Sequence, residues 1–305
     1  MKAQILIIAD GRSPTTQRWI ANIQALDYQV SLISTYPCQE LAGVANFHVL
    51  PVSFSRFSSG NQAVSKSERN SSPKSWVRRW APAFQHLRYY LGPLTLPRVR
   101  GEYQKLVGSI KPDLVHALRI PFEGMLASTT PRTIPLAVAI WGNDLTLHAK
   151  GSPLMRQWTR HCLERADGLS ADARRDIQLA KDWGLASDTP TLVVPGSGGL
   201  DLEAIRKAKP AETRRYDIPD ASTWIINPRG LRPGSVHQKA FFAAIPEILA
   251  VRPEAVFICP GLKGIHAVEG WVQTLGIGDR TFLLPHLPQE ELWALMKRAA
   301  LFVSP

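Results

Sequence analysis

The sequence predicts an α/β protein that is built from two Rossmann-like domains. Short apolar runs alternate with helix-like stretches, which is the pattern of a parallel sheet covered by helices. The chain has 305 residues, which exceeds one ordinary domain and fits two. The alternation stops at a Gly-rich segment, residues 195–199, and then begins again.

The first predicted domain covers residues 1–195. It opens with an apolar strand at 4–9 that ends at Asp10-Gly11, and Pro14 then begins a helix-like stretch. A second strand at 28–34 completes a βαβ unit, which implies a parallel sheet. The pattern predicts further strands at 45–51, 113–117, 135–141, 168–171 and 191–194, helices at 153–165 and 173–183, and a helix start at 123–128.

The second predicted domain covers residues 196–305. The pattern predicts strands at 223–227, 255–259, 281–284 and 301–304, and helices at 239–250, 268–275 and 289–298. Ligands of an open α/β sheet bind beyond the carboxyl ends of its strands, and the sequence given ends on a strand. We therefore expect a partial domain, and a fragment that is inactive alone.

Residues 56–105 hold ten Lys or Arg residues and two Glu residues. Ser, Asn, Lys and Gly dominate 55–75, which predicts a mobile loop within a basic segment of about 55–105. Apolar residues recur three and four apart between Trp76 and Val107. This pattern is typical of an amphipathic helix on an anionic membrane and equally of a surface helix packed on its own sheet. Pro82, Pro93 and Pro97 limit its length.

Composition excludes several classes of protein. The formal net charge of +11 suits a polyanionic partner, but charge alone does not favour nucleic acid. Cys38, Cys162 and Cys259 are far apart, which argues against a disulfide framework or a zinc site and indicates a cytoplasmic protein. The first apolar run is too short for a signal peptide. The GxGxxG and Walker patterns are absent after Gly11, which disfavours a dehydrogenase or a P-loop enzyme.

Several segments, in this order, resemble the glycosyltransferase family 4 group. They are ILIIADGRSPTTQRWIANIQ, PDLVHALRIPFEG, IWGNDLTLHAKGSPLMRQWTRHCLERADGLSAD, VVPGSGGLDLE, INPRGLRP, FICPGLKG and FLLPHLPQEELWALMKRAALFVSP. The resemblance implies a GT-B fold, in which two Rossmann-like domains face a cleft. It also implies a nucleotide-sugar donor, a glycan, lipid or small-molecule acceptor, and retention of anomeric configuration. The family's pair of donor-side glutamates is absent from the sequence given.

The second domain offers a site for the donor diphosphate. Arg229 and Gly230 follow a predicted strand, and Lys239 lies near a helix start. An Arg fork, a Lys and a helix N-terminus are each suited to a diphosphate. Asp-x-Asp, which commonly holds a metal in other glycosyltransferases, does not occur, so the sequence predicts metal-independent transfer without a cofactor.

The first domain offers catalytic and acceptor-side candidates. His148 and Asp144 follow a strand end and are the catalytic candidates; Asp144 would equally cap a helix. Gly11, Ser13 and Glu123 are the acceptor-binding candidates, and the amides of Arg12 and Ser13 are expected to face the acceptor. His116, inside an apolar strand, is interpreted as a core residue.

Two other functions compete with glycosyl transfer. A sugar-nucleotide 2-epimerase shares the two-domain architecture and binds the same class of ligand, but needs no acceptor. An inactive binding module would use the basic segment to hold acidic lipid or glycan. For the enzyme, too, the basic segment allows peripheral contact with an anionic membrane, at its inner face. The sequence does not specify the sugar, the nucleotide or the acceptor.

Overall fold

The computed structural model describes residues 2–53, 55, 87–196, 198–219, 222–231 and 236–305. The chain divides into two compact units, Met1–Leu200 and Asp201–Pro305. The division falls five residues after the boundary expected at 195/196, because Trp19 and Asn22 donate hydrogen bonds to the carbonyl oxygens of Gly196 and Gly198. The Gly-rich segment is thereby held to the first unit.

The first unit contains a seven-stranded parallel sheet of order β3-β2-β1-β4-β5-β6-β7. The strands are β1 (Gln4–Ala9), β2 (Gln29–Ser34), β3 (Phe47–Val49), β4 (Leu114–Ala117), β5 (Leu136–Ile140), β6 (Gly168–Ala171) and β7 (Thr191–Val193). The strand order reverses between β1 and β4, which pair from Ile5↔Leu114 to Ile8↔Ala117. A crevice is expected beyond the carboxyl ends of the strands at such a switch point.

The helices of the first unit begin and end at residues with identifiable roles. They are α1 (Pro14–Gln24), α2 (Leu96–Ile110), α3 (Met125–Ala127), α4 (Pro153–Arg165) and α5 (Arg174–Asp182). Proline in the first turn of α1, α2 and α4 sets φ where no backbone donor is needed. Ser152 Oγ caps α4 by accepting from the amide of Met155 at 3.1 Å, and Lys111 ends α2 in the left-handed region.

The core of the first unit lies on both faces of the sheet. Leu6 and Ile8 pack on one face with α2, α3 and α4, whereas Ile7 and Leu32 pack on the other face with α1. This explains why the strand sequences are continuously apolar and do not alternate with polar residues. His116 lies in β4, where its ring meets Trp19 edge-on at 5.5 Å, and burial lowers its pKa to about 4.

The second unit contains a four-stranded parallel sheet of order β10-β9-β8-β11. Its strands are β8 (Thr223–Ile226), β9 (Ala255–Pro260), β10 (Thr281–Leu284) and β11 (Leu301–Phe302). Its helices are α6 (Leu202–Lys207), α7 (Gln238–Val251), α8 (His266–Thr274) and α9 (Gln289–Arg298). The strand order again reverses, here between β8 and β11, so a second switch point lies beyond Ile226 and Phe302.

The predicted alternation is confirmed in both units, and the helix expected at 123–128 is confirmed only over Met125–Ala127. The expected helix start is replaced by a wide turn, Ile120–Gly124, that precedes α3. Within this turn Pro121 and Phe122 depart from helical geometry, because Pro121 is extended and Phe122 has φ 66° and ψ −46°. The loop predicted at 55–75 lies outside the described residues except for Ser55, as do 76–86 of the basic stretch.

Candidate functional site

A cavity of about 420 Å³ lies at the switch point of the first unit. It opens beyond the carboxyl ends of β1, β2, β4 and β5, where the topology predicts a ligand site. It is lined by Ala9, Asp10, Ser13, Thr16, Thr35, Tyr36, Val52, Arg88, Tyr89, Leu118, Arg119, Pro121, Phe122, Glu123, Trp141 and His148. The wall therefore combines apolar surface with a few charged and hydroxyl groups.

Glu123 is the most unusual group of the cavity wall. Its side chain is only 5% exposed, and Oε1 accepts a long hydrogen bond of 3.3 Å from Thr35 Oγ1. Its Oε2 has no hydrogen-bond partner within the part of the chain that the structure describes. Burial raises the pKa of Glu123 to about 7, although the nearby Arg119 lowers it. The carboxyl group therefore changes its charge near neutral pH.

A strained backbone turn presents Glu123 to the cavity. Phe122 has φ 66° and ψ −46°, a γ-turn geometry that is rare and strained for a bulky residue. The turn is closed by a 2.8 Å bond from the amide of Gly124 to the carbonyl oxygen of Arg119. Gly92 must lie against it without a side chain, because a Cβ there would meet Phe122 Cε1 at 2.7 Å. Strain held in this way is often found at functional sites.

Asp144 holds Arg119 beside the cavity. Its Oδ1 accepts from Arg119 Nη2 at 2.7 Å, and its Oδ2 accepts from the amides of Ile120 and Trp141 at 3.2 Å. Burial lowers the pKa of Arg119, but the charges of Asp144 and Glu123 outweigh this and raise it. The Asp144 carboxylate is completely buried and fully engaged, so the geometry favours a positioning role over direct contact with a sugar.

His148 contributes a neutral imidazole to the cavity. Its Nδ1 shares a 2.8 Å hydrogen bond with Tyr89 Oη. Burial, followed by the nearby Arg119, lowers the pKa of His148 to about 4. At neutral pH the ring is therefore uncharged, with Nδ1 engaged by Tyr89 and Nε2 available to a ligand hydroxyl. Tyr89 is fixed in turn by contact with Gly151, where a Cβ would meet its ring at 2.5 Å.

Arg88 brings a second cation to the cavity from the segment before α2. Its Nε donates to Ser53 Oγ at 3.0 Å and its Nη2 donates to Tyr36 Oη at 2.6 Å. Its guanidinium carbon lies 4.7 Å from the centroid of the Phe122 ring. No carboxylate of the described residues forms an ion pair with Arg88. The positive charge of Arg88 is thus offered to a ligand.

The loop after β1 is closed by its own hydrogen bonds. The amides of Arg12 and Ser13 both donate to Asp10, at 3.0 Å, so the expectation that they face an acceptor is wrong. Gly11 donates to Ser34 Oγ, and a Cβ there would meet Cys38 Sγ at 2.6 Å. Gly11 is therefore required for close packing, and its role in acceptor binding stays a prediction.

Ser13 lies at the N-terminus of α1 and lines the cavity. Its side chain forms no capping hydrogen bond in the described structure, and Thr16, in the first turn, lines the same wall. A helix N-terminus carries a partial positive charge that favours anions and hydroxyl oxygens. Ser13 therefore lies on the cavity wall, and its role in acceptor binding stays a prediction.

The donor-side candidates lie together at the carboxyl end of β8 in the second unit. Asn227 and Gln238, both buried, join through a 2.7 Å bond from Asn227 Nδ2 to Gln238 Oε1. Gln238 Nε2 donates to the carbonyl oxygen of Arg229, and the amide of Arg229 donates to Asn227 Oδ1 at 3.1 Å. The loop at Arg229 and Gly230 is thereby fixed against the first turn of α7, where Lys239 is exposed.

Sequence reasoning missed several residues of these two regions. Arg119 lies two residues after the end of β4 and has the same positional signal as the residues that were found. Arg88 and Tyr89 belong to a helical stretch that carries no strand-end signal. Asn227 and Gln238 are buried polar residues, which no apolar periodicity reveals.

No group of three or more His, Cys, Asp or Glu side chains in the described part of the chain is arranged to hold a metal ion. None of the helices in the described ranges has the length and apolarity needed to cross a bilayer.

The family model described as Glycosyl transferase 4-like matches residues 81–173. This range contains Arg88, Tyr89, Arg119, Glu123, Asp144 and His148 of the cavity region. Among curated protein sequences, none matches the chain significantly.

Solved structures of similar fold include transferases and epimerases. HepE from Anabaena, in complex with UDP, shares 13% identity at a TM-score of 0.62, over 99% of this chain and 73% of HepE. The lipopolysaccharide outer core galactosyltransferase WaaB shares 12% identity at a TM-score of 0.57, over 99% of this chain and 73% of WaaB. A UDP-N-acetylglucosamine 2-epimerase from Rickettsia bellii shares 11% identity at a TM-score of 0.56, over 99% of this chain and 74% of the epimerase.

At these identities the structural similarity shows the fold alone, and the family match shows sequence similarity to glycosyl transferase 4-like proteins over residues 81–173. Each unit of this chain has the Rossmann-like parallel sheet of these neighbours. Each unit of this chain thus has the fold of these neighbours, and residues 81–173 are similar to the Glycosyl transferase 4-like family.

Proposed function

We propose that this protein transfers a sugar from a nucleotide-sugar donor to a hydroxyl group of a glycan, lipid or small-molecule acceptor. The observation that carries the proposal is the buried Glu123, with its unpartnered Oε2, in the switch-point cavity of a glycosyltransferase-like fold. A carboxylate held in this way accepts hydrogen bonds from sugar hydroxyls, and water competes little for it. His148 and Ser13 supply further polar contacts for the same ligand.

The donor is assigned to the second unit. Arg229, Lys239 and the N-terminus of α7 concentrate positive charge at one loop, and a diphosphate leaving group needs such charge as it departs. HepE has been solved with UDP-glucose, and with UDP and glucose, which supports a UDP-sugar as the donor class. Because protein cations suffice to balance the charge, we propose metal-independent transfer.

The reaction exchanges one bond at the anomeric carbon. The bond from that carbon to the diphosphate oxygen breaks, and a bond to the acceptor oxygen forms. The acceptor hydroxyl loses its proton to an oxygen of the departing diphosphate, which fits retention of configuration. Glu123 in its ionised form holds the acceptor by a hydrogen bond, so kcat/KM for the acceptor is expected to rise as pH increases through about 7.

The decisive experiment incubates the purified full-length protein with a panel of UDP-sugars, with and without sugar acceptors. Release of UDP and formation of a glycoside only with acceptor would support transfer, and the product's coupling constants report the anomeric outcome. Activity that persists with EDTA would support the metal-independent route. A Glu123→Gln variant is expected to lose the rise of kcat/KM near pH 7. UDP-sugar that binds but transfers to no acceptor would contradict the assignment.

The fold similarity to UDP-N-acetylglucosamine 2-epimerases favours a second candidate function. An epimerase binds the same class of donor but inverts one carbon of its sugar without any acceptor. The two functions differ in a direct observable, because epimerisation in deuterated water without acceptor introduces deuterium at C2. Deuterium at C2 of the recovered UDP-sugar would replace the transferase proposal with this one.

A further inference from the structure

The segment that precedes α2 has two faces of different character. Residues 87–91 are helical, Pro93–Thr95 form a tighter helical turn, and α2 follows from Leu96. Gly92 and Thr95 keep right-handed helical dihedral angles, so the chain continues in a helical course into α2.

The inward face of this segment belongs to the cavity. Arg88 and Tyr89 line it, Gly92 packs against Phe122, and Thr95 Oγ1 accepts from the amide of Ser53 at 3.0 Å. Ser152 Oγ also donates to the carbonyl oxygen of Tyr89 at 2.7 Å. These contacts fix the orientation of the segment, and therefore decide which residues point outward.

The outward face is apolar and exposed. Leu87, Tyr90, Leu91 and Leu94 are 51%, 54%, 40% and 53% exposed. They recur three and four residues apart, so they form one stripe along the helical course. Leu87, Tyr90 and Leu91 are therefore not core residues, although the segment itself packs on the first unit through its inward face. A contiguous exposed stripe of this kind marks an interaction surface.

Basic residues continue the same face. Arg98 and Lys105 follow Leu94 at helical spacing and are exposed, and Arg100 is exposed nearby. Leucine and tyrosine beside Arg and Lys match an anionic bilayer surface, where apolar side chains enter the headgroup boundary and cations meet the lipid phosphates. The charge complementarity selects a membrane over an apolar protein partner.

We infer that Leu87, Tyr90, Leu91 and Leu94, with Arg98 and Lys105, form a docking surface for an anionic phospholipid membrane. This inference deepens the proposed function, since the same segment supplies Arg88 and Tyr89 to the acceptor cavity. Docking places that cavity at the headgroup level, which suits an acceptor that is attached to a lipid. An anionic linkage of such an acceptor, a phosphate for example, would meet the positive charge of Arg88.

The test measures binding to sedimenting vesicles of phosphatidylcholine alone and of phosphatidylcholine mixed with phosphatidylglycerol. We expect the protein to bind only the anionic vesicles and to lose binding at raised salt. The double variant Leu91→Gln with Leu94→Gln should weaken binding about tenfold. The matched control, Leu26→Gln with Leu192→Gln, changes two leucines elsewhere in the first unit that are more exposed, at 69% and 61%, and should bind normally.

A second pair of variants tests the charges. Arg98→Glu with Lys105→Glu should weaken binding by about tenfold or more, since each basic residue at an anionic surface contributes about fivefold. Arg174→Glu with Lys181→Glu makes the same change in net charge on α5 and should have a much smaller effect. Equal losses of vesicle binding in both charge variants would show that only the net charge matters, and would overturn the inference.

Other results would also overturn it. The inference is overturned if the unaltered protein does not bind anionic vesicles, or if the two-leucine variant binds them as well as the unaltered protein does. A dimer that dissociates when Leu91 and Leu94 are replaced would assign the stripe to a second copy of the chain. Because vesicle binding needs no donor or acceptor, it fails or succeeds independently of sugar transfer, which UDP release with a soluble acceptor reports.

Discussion

Asp144 Oδ1 lies 2.7 Å from Arg119 Nη2, and this pair joins the turn after β5 to the chain after β4. The carboxylate is completely buried, whereas one third of the Arg119 side chain remains exposed. Asp144 also accepts from two backbone amides, so one carboxylate fixes both strand ends at the cavity. The candidate proposed from sequence as catalytic thus has the contacts of a residue that positions its neighbours.

Replacement of Asp144 by asparagine should destabilise the protein by about 2 to 4 kcal/mol, because it leaves the mostly buried Arg119 without its counter-charge. Denaturant unfolding measures the change. Asp188→Asn provides the control, since Asp188 is exposed, and it should change the free energy of unfolding by less than about 0.5 kcal/mol. Equal small effects of both substitutions would show that the pair does not stabilise the cavity.

Glu123 should make stability fall as pH rises towards neutrality. The unfolded state releases this proton near pH 4.5 and the folded state releases it at about 7, so the folded state binds more protons in between. Above pH 7 the full cost of the buried charge is present, about 3 kcal/mol. Glu123→Gln should therefore gain about 3 kcal/mol in unfolding free energy relative to the unaltered protein between pH ~4.5 and ~8.

Comparing the Glu123→Gln variant with the unaltered protein removes the opposing effect of two histidines on the pH dependence of stability. His116 and His148 have folded pKa values of about 4, below their usual 6.5, so they lower stability as pH falls through this interval. Both proteins retain these histidines, and their contribution cancels in the difference. A difference that is constant with pH would mean that Glu123 does not titrate as a buried carboxyl group.

The order of the strands and the positions of their ends explain which parts of the fold and of the candidate site could be predicted from the sequence. Apolar runs such as 4–9 and 255–259 are visible because both faces of the sheet are covered, and Asp10, the polar residue directly after the first run, lines the switch-point cavity. His148 was chosen because it lies in the segment after the strand at 135–141, and Glu123 because it lies in the turn after the strand at 113–117. The γ-turn at Phe122 was not foreseen, because no sequence rule predicts a strained φ at a phenylalanine.

The segment before α2 shows why the remaining residues were missed. Helical periodicity normally identifies the apolar face as the buried one. Here the buried face carries Arg88 and Tyr89, and leucines occupy the exposed face. The polar inward face is satisfied by Tyr36, Ser53 and His148, which lie far away in the sequence. Only the folded structure brings these groups together.

Tyr89→Phe should weaken catalysis with little loss of stability. The substitution removes the 2.8 Å bond to His148 Nδ1 and keeps the ring contact with Gly151, so it should cost about 1 kcal/mol in unfolding free energy. A His148 ring that is no longer oriented should reduce kcat/KM for transfer about tenfold. Tyr90→Phe, on the exposed neighbouring residue, should leave both measurements unchanged. Unaltered transfer in Tyr89→Phe would exclude His148 orientation as a catalytic requirement.

Arg229 and Gln238 should contribute to the same donor site by different means. Arg229→Ala removes a cation and should weaken UDP binding about tenfold at unchanged stability. Gln238→Leu keeps the cation but leaves Asn227 Nδ2 and the carbonyl oxygen of Arg229 without their partner, so it should cost about 1 to 3 kcal/mol in unfolding free energy and also weaken UDP binding.

Calorimetric titration with UDP measures the affinity, and Arg252→Ala, an exposed change in the same unit, is the control. Salt screens the attraction between Arg229 and the diphosphate, so the effect of Arg229→Ala on UDP affinity should shrink as the salt concentration rises. The effect of Gln238→Leu, which displaces the loop, should not shrink in this way. Normal UDP affinity in Arg229→Ala would place the diphosphate elsewhere.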